Sequence, residues 1–151
     1  MIFVDTNVLY SVLVKTKFSK SAQDIILKQS ELATSATVLG ELVFVSLRKL
    51  CKERYGTNNY SEFRKAIIHN GYSSFKEDLD LIFRLVKEID ILVLPINDNL
   101  DDWEDVMIRY NLMPNDAIIA STCLKHEISE IATFDSDFLR VNWLRVINQS
   151  G

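Results

Sequence analysis

Short apolar runs alternate along the chain with longer stretches whose apolar residues recur at helical spacing. The short runs predict strands, and a spacing of three to four residues predicts helices with one buried face. The predicted strands are residues 1–4, 32–35, 91–94, 130–133 and 144–147. The predicted helices are residues 8–13, 21–28, 38–50, 61–70, 74–89, 100–110 and 116–126.

Local signals place several element boundaries. Thr37 and Asn115 are each expected to cap the helix that follows. Gly71 is expected to end the helix before it. Residues 91–94 are apolar without interruption, which is typical of a strand buried inside a parallel sheet.

The alternation of strands and helices indicates an α/β fold, because a helical crossover returns the chain parallel to the preceding strand. We predict a three-layer sandwich, in which a parallel sheet of four to five strands carries helices on both faces. A chain of 151 residues is about one domain long, so residues 1–151 are expected to form a single domain. Residues 51–90 contain only predicted helices and are expected to form an insert that protrudes as a helical hairpin.

The charge balance limits how this protein can bind nucleic acid. Its formal net charge is −4, whereas a protein that binds nucleic acid through its overall charge is expected to be basic. Binding would therefore need a local basic surface and a metal site. The candidate phosphate-binding residues are Lys15, Lys17, Lys20, Arg48 and Lys49, and ordinary solvated surface explains them equally well.

The composition argues against several other classes of protein. No apolar run approaches the roughly 18 residues of a membrane-spanning helix, so a cytoplasmic protein is expected. Cys51 and Cys123 lie in apolar helical stretches and are expected to be buried thiols. His69 and His126 are too few and too far apart to indicate a zinc site. With four glycines in the chain there is no glycine-rich phosphate loop.

Four acidic residues are placed toward one edge of the predicted sheet. Asp5 follows the first strand, and Glu41 lies early in the helix after the second. Asp116 opens the helix that leads into the fourth strand, and Asp135 follows that strand. Ligand sites of open α/β sheets lie at this carboxyl edge, and clustered carboxylates repel one another unless a cation lies between them. Oxygen ligands in this number favour Mg²⁺ or Mn²⁺, although acids at this edge also serve as helix caps.

Four short segments resemble the signature of a known family. Residues 2–9 (IFVDTNVL) resemble the opening motif of PIN domains, in which an apolar strand runs into Asp-Thr-Asn. Residues 37–42 (TVLGEL) are similar to the second motif, and residues 114–120 (PNDAIIA) to the third. Residues 132–138 (ATFDSDF) resemble the fourth. The motifs occur in the family's order across nearly the whole chain.

The resemblance to PIN domains implies a Rossmann-like fold and a metal-dependent ribonuclease activity. By the same resemblance the catalytic, metal-binding acids are Asp5, Glu41, Asp116 and Asp135, with Asp137 as the alternative fourth ligand. Many small prokaryotic members are VapC-type toxins, so the expected function is the toxin of a toxin–antitoxin pair, with RNA as substrate and an antitoxin as partner. The alternatives are a PIN nuclease of RNA processing, or a catalytically silent PIN scaffold that acts as a binding module.

Three neighbouring residues are expected to support the acids. Thr6 and Asn7 either orient Asp5 or cap the first helix, and Thr133 either positions Asp135 or simply ends a strand. Asn7 also argues against a phosphatase with Asp5 as nucleophile, because the haloacid-dehalogenase pattern has a second Asp at that position.

The helical insert is expected to take part in self-association. The apolar residues Phe63, Ile67, Ile68 and Tyr72 are expected on an exposed face, and contiguous exposed apolar surface usually marks a partner site. The family resemblance also implies a homodimer, with this insert at or near the interface. The alternative is that the insert folds back and completes the core. Both remain open because an apolar stripe on a helix does not show which surface it packs against.

Overall fold

A five-stranded sheet lies at the centre of the fold. A computed structural model describes residues 1–28 and 31–148 of the chain. The strands are β1 (Ile2–Val4), β2 (Leu32–Ser35), β3 (Leu92–Leu94), β4 (Glu130–Ala132) and β5 (Arg145–Ile147). They lie in the order β3-β2-β1-β4-β5, and every neighbouring pair is parallel. The predicted α/β architecture with a parallel sheet is confirmed.

The middle of the sheet is buried on both faces. All residues of β1 and β2 are buried, and β1 is paired on both sides, with Phe3 beside Ala33 and Ile131. Such a strand meets no water, which explains its uninterrupted apolar sequence. The first polar side chain after β1 is Asp5, which follows the carboxyl end of the strand directly.

Residues 91–94 contain the predicted parallel strand, but the prediction that it is buried inside the sheet is wrong. β3 is at one edge of the sheet, and its residues Leu92 and Val93 are 51% and 46% exposed. Only Leu94 of this strand is buried. An apolar run indicates a strand, but it does not fix where in the sheet the strand pairs.

Helices connect the strands, and each predicted helix is present. Within residues 1–28 and 31–148 the α-helices are α1 (Thr6–Leu13), α2 (Ser19–Lys28), α3 (Ala36–Tyr55), α4 (Tyr60–Asn70), α5 (Lys76–Glu88), α6 (Leu100–Tyr110) and α7 (Pro114–Lys125). Two short 3₁₀ helices cover Ser73–Phe75 and Ser136–Arg140.

Both predicted N-caps are wrong, because each helix begins earlier than expected. Ser35, the last residue of β2, occupies the cap position of α3 with an extended φ of −136°, so Thr37 lies inside the first turn. No linker separates β2 from α3. Pro114 starts α7, since its fixed φ suits the first helical position, and Asn115 is therefore the second residue of the helix.

The helical insert folds against α3 and has a small core of its own. Leu47 and Cys51 of α3 pack with Phe63 of α4 and with Phe75, and all four are buried. The expectation that Phe63 lies on an exposed face is therefore wrong. Gly71 ends α4 as predicted, with a positive φ of 68°.

Two further expectations concern the cysteines and the membrane. Cys51 and Cys123 are free, buried thiols, as predicted. Burial raises the pKa of the Cys123 thiol well above its ordinary range. Among the described residues no helix is both long and apolar enough to cross a membrane.

Candidate active site

The four predicted acids line one pocket at the carboxyl edge of the sheet. Asp5 follows β1, Asp135 follows β4, Glu41 lies in the second turn of α3, and Asp116 lies in the first turn of α7. The remaining lining residues are Thr6, Asn7, Tyr10 and Val45. Strand ends and helix starts meet at this edge, so four distant segments place their carboxylates together.

Asp5 is the most firmly held of the acids. Its Oδ1 accepts a hydrogen bond from the backbone N–H of Thr6 (2.7 Å), which caps α1. Its Oδ2 accepts hydrogen bonds from the hydroxyl of Thr133 (2.6 Å) and from Nδ2 of Asn7 (2.8 Å). Asn7 is itself fixed, because its Oδ1 accepts the backbone N–H of Phe134 (2.9 Å). Asn7 therefore orients Asp5, and the capping role belongs to Asp5.

Glu41 is half-buried and has a polar partner in Thr6. The Thr6 hydroxyl lies 3.3 Å from Oε2 of Glu41 and can donate a hydrogen bond to it. The backbone N–H of Thr6 binds Asp5. Thr6 thus links the first acid to the second.

Asp135 and Asp137 have different surroundings. The Thr133 hydroxyl oxygen accepts the backbone N–H of Asp135 (3.0 Å), and Oδ1 of Asp135 accepts the backbone N–H of Asp137 (2.8 Å). Oδ1 of Asp137 accepts a hydrogen bond from Arg140 (2.7 Å). One carboxylate oxygen from each of Asp116, Asp135 and Asp137 lies within 4.8 Å of the other two. Asp137 is therefore beside the acids of the pocket, and a guanidinium already balances its charge.

Arg140 was not singled out from the sequence. Besides Asp137, it donates hydrogen bonds to the backbone carbonyls of Tyr110 (2.8 Å) and Asn111 (2.9 Å) at the end of α6. It therefore ties the 3₁₀ helix after Asp135 to the loop before α7. No motif marks such a residue, because its partners are backbone atoms distant in sequence.

The electrostatics of the pocket are those of crowded, partly desolvated carboxylates. Burial raises the pKa of Asp5 to about 6, against the hydrogen bonds from Thr133 and Thr6, and the charges of Glu41 and Asp135 raise it further. Burial, followed by the charge of Asp135, also raises the pKa of Asp116 to about 6.

The donor set of the pocket fits a divalent cation. Asp5, Glu41, Asp116 and Asp135 supply hard oxygen atoms, and no Lys or Arg is among the described residues that line the pocket. Without a positive partner the carboxylates repel one another, and a divalent cation relieves that repulsion. Both carboxylate oxygens of Asp5 accept hydrogen bonds from neighbouring groups. These bonds keep the carboxylate in one orientation toward a bound cation.

The predicted phosphate-binding residues fall into two groups. Lys15, Lys17 and Lys20 are exposed in the segment that joins α1 to α2 and at the start of α2. Arg48 lies on α3 with its guanidinium over the rings of two phenylalanines. Lys49 forms an ion pair with Glu53 and lines a different pocket. Of the five residues, Lys49 is thus the least available to a phosphate.

His126 and the acids of α6 lie outside this pocket. A ring nitrogen of His126 is 2.8 Å from the carbonyl of Pro95, where the histidine ends α7. Asp101 is exposed in the first turn of α6, and Asp102 accepts a hydrogen bond from Asn97. These residues lie at the ends of helices, away from the four acids.

Comparisons with known proteins agree with the motifs and the fold. The chain is 30% identical to ribonuclease VapC2 of Methanocaldococcus jannaschii, over 97% of this chain and 92% of that protein. Its fold is similar to that of VapC20 of Mycobacterium tuberculosis, described as a toxin that cleaves the sarcin–ricin loop, with a TM-score of 0.60 at 19% identity and coverage of 97% and 98% of the two chains. A chain from a Klebsiella pneumoniae toxin–antitoxin complex also has a TM-score of 0.60, at 19% identity and coverage of 97% and 96%. The family model of the PIN domain matches residues 2–144. The chain belongs to the PIN-domain family.

Proposed function

We propose that this protein is an endoribonuclease that hydrolyses RNA phosphodiester bonds with Mg²⁺ or Mn²⁺ bound by Asp5, Glu41, Asp116 and Asp135. The observation that carries the proposal is the meeting of these four carboxylates in one pocket without a cationic side chain among its described lining residues. A pocket of this charge would repel an RNA phosphate unless a cation neutralised it. Asp137, held by Arg140, would act beside the site and not as a ligand.

Some residues of the pocket would bind the cation, and others would orient the residues that bind it. When bound, the divalent cation supplies positive charge for the phosphate oxygens and lowers the pKa of a water molecule. Asn7 and Thr133 hold Asp5 in one orientation, and Thr133 also fixes the backbone of Asp135. Side chains that are already held in position lose little conformational freedom when they bind a cation.

RNA is the substrate that the family relationships support. VapC2 is a ribonuclease by name, and it aligns with nearly the full length of this chain. We further propose that the protein is a toxin with an antitoxin as partner, since one structural neighbour is part of a toxin–antitoxin complex. An RNA substrate and two free thiols fit a single-domain cytoplasmic enzyme.

Cleavage of a labelled RNA tests the activity. The purified protein is expected to cut a random-sequence RNA pool in Mn²⁺ or Mg²⁺ and to stop when EDTA is added. A DNA pool of the same length serves as the matched substrate control. Intact RNA in both metals, over a wide range of enzyme concentration, would contradict the proposed function.

We also propose a homodimer with the helical insert at its interface, through the part of the predicted apolar face that is exposed. Ile68 and Tyr72 are 66% and 54% exposed beside a groove between α3 and α4, whereas Phe63 is buried at its base. Light scattering of Ile68→Glu should show a monomer. Wild-type protein that is monomeric at tens of micromolar would contradict the dimer.

A further inference from the structure

Two phenylalanines that are far apart in sequence, Phe18 and Phe134, stack on each other. The rings of Phe18 and Phe134 are nearly parallel, with an interplanar angle of 10° and 4.4 Å between their centroids. Phe18 lies between α1 and α2 and is 37% exposed, so part of this stack meets solvent. Neither ring belongs to the residues that line the acidic pocket.

The stack is nevertheless joined to the pocket. Phe134 stands between Thr133, which binds Asp5, and Asp135, which lines the pocket. Its backbone N–H donates to the side chain of Asn7, another lining residue. Phe134 is half-buried and packs against the main core, so it forms a fixed base under the more exposed ring of Phe18. The stack is therefore linked to the acidic pocket through the backbone of Phe134.

A positive charge accompanies the exposed ring. The ammonium nitrogen of Lys17 is 4.9 Å from the centroid of Phe18. Among the described residues no carboxylate forms an ion pair with Lys17, and the neighbouring Lys15 and Lys20 are exposed as well. An aromatic face with an unpaired cation over it, next to a site for phosphate chemistry, has the two features that single-stranded nucleic acid recognises.

We propose that Phe18, supported by Phe134, stacks with an unpaired base of the RNA next to the cleaved bond, while Lys17 turns from the ring to the adjoining phosphate. The inference rests on the proposed ribonuclease function and adds a substrate-positioning residue to it. A base in a continuous duplex has both faces covered by its neighbours, so only an unstacked nucleotide can use this ring. The lysine side chain is long and flexible enough to exchange an aromatic partner for a phosphate.

The competing explanation is that the ring pair merely anchors the segment between α1 and α2. Leucine in place of Phe18 would still cover Phe134 with apolar surface, so a purely structural role predicts little change in KM for Phe18→Leu. A stacking role predicts that Phe18→Leu raises KM. It predicts that Phe18→Tyr keeps the wild-type KM, because tyrosine keeps the aromatic face. Phe83, an exposed residue of α5, provides the matched control as Phe83→Leu.

The test is steady-state cleavage of a short synthetic RNA, chosen from a random pool because the wild-type protein cuts it in Mn²⁺. Phe18→Leu should raise KM about tenfold, the size expected for the loss of one stacked base. Phe18→Tyr and Phe83→Leu should keep the wild-type KM. Nucleotides on either side of the cut are then replaced one at a time by abasic ones. One such replacement should raise KM for the wild-type protein and have little further effect in Phe18→Leu, because both changes remove the same contact.

Results that overturn the stacking role can be distinguished from results that overturn the ribonuclease function. An unchanged KM in Phe18→Leu, or an abasic effect of equal size in both proteins, would show that Phe18 does not contact a base, while the ribonuclease proposal would stand. A wild-type protein that cuts no RNA of the pool would overturn the proposed function together with this inference. Thermal melting of each variant shows whether a change in KM comes from unfolding of the protein.

Discussion

The hydroxyl of Thr133 donates a 2.6 Å hydrogen bond to Oδ2 of Asp5 and accepts the backbone N–H of Asp135 at 3.0 Å. One side chain at the end of β4 therefore positions two acids of the pocket, and Asp5 is 128 positions away from it in the chain. The bond to Asp5 also opposes the burial that raises the pKa of this acid.

Thr133→Val should weaken divalent metal binding without unfolding the protein. Valine has the shape of threonine but cannot donate to Asp5, and loss of such a supporting bond typically costs about tenfold to a hundredfold in metal affinity. Titration calorimetry with Mn²⁺ measures the change. Thr133→Ser is the matched control, because it keeps the hydroxyl and should keep the affinity. Equal Mn²⁺ affinity in the valine variant and the wild-type protein would show that the bond does not support a metal site.

The raised pKa of Asp5 predicts how the stability of the metal-free protein depends on pH. The pKa of the Asp5 carboxyl rises from its ordinary value of 3.8 to about 6 in the folded state. Between these values the folded protein binds more protons than the unfolded chain, so the free energy of unfolding falls as pH rises. The contribution of Asp5 is complete below about pH 4 and is lost above about pH 6.

The difference between the wild-type protein and Asp5→Asn reports on Asp5 together with its coupling to Asp116, whose pKa the charge of Asp5 also raises. Asparagine stays neutral, so the stability of the wild-type protein relative to the variant should fall by up to about 3 kcal/mol between pH 4 and pH 7. Urea unfolding in EDTA at both pH values measures it. A difference that does not change with pH would contradict the raised pKa.

Much of the site was predictable because its residues follow predictable elements. The apolar run of β1 ends abruptly at Asp5, and parallel strands bring their carboxyl ends to one edge. Glu41 was notable as an acid in an otherwise apolar segment, and the structure gives it Thr6 as a partner. These inferences need the order of the elements and no knowledge of their exact contacts.

The rest depends on contacts that no local pattern encodes. Phe63 belongs to a helical stripe that faces α3, and periodicity alone does not tell which neighbour covers a stripe. Leu92 and Val93 are apolar, yet they lie on an edge strand. Arg140 binds the backbone of Tyr110 and Phe18 stacks on Phe134, and no local pattern indicates contacts between residues so far apart in sequence.

Asp135 and Asp137 should differ in their effect on metal binding. Asp135 lines the pocket, whereas one oxygen of Asp137 is engaged by Arg140. We expect Asp135→Asn to lower Mn²⁺ affinity about tenfold or more, and Asp137→Asn to have the smaller effect. Calorimetry on the two variants decides between them. A larger loss in Asp137→Asn would make Asp137 the fourth ligand.

The small core of the insert should contribute strongly to stability. Phe75 belongs to the insert and is fully buried in the small core that it forms with α3, so Phe75→Ala should lower the free energy of unfolding by about 3 to 5 kcal/mol. Phe83→Ala, at an exposed phenylalanine of α5, is the control and should change it little. Urea unfolding compares them. Similar stability in both variants would show that the insert does not pack as described.

The rate of RNA cleavage in saturating Mn²⁺ by Asp116→Asn, compared with Asp80→Asn, tests the central claim most directly. Asp116 lines the acidic pocket, and Asp80 is an exposed acid on α5 outside it. Each variant loses one carboxylate in the same chemical way. We expect Asp116→Asn to lower the rate by about a hundredfold or more, and Asp80→Asn to stay within about twofold of the wild-type protein. Cleavage by a folded Asp116→Asn protein at the wild-type rate would contradict it.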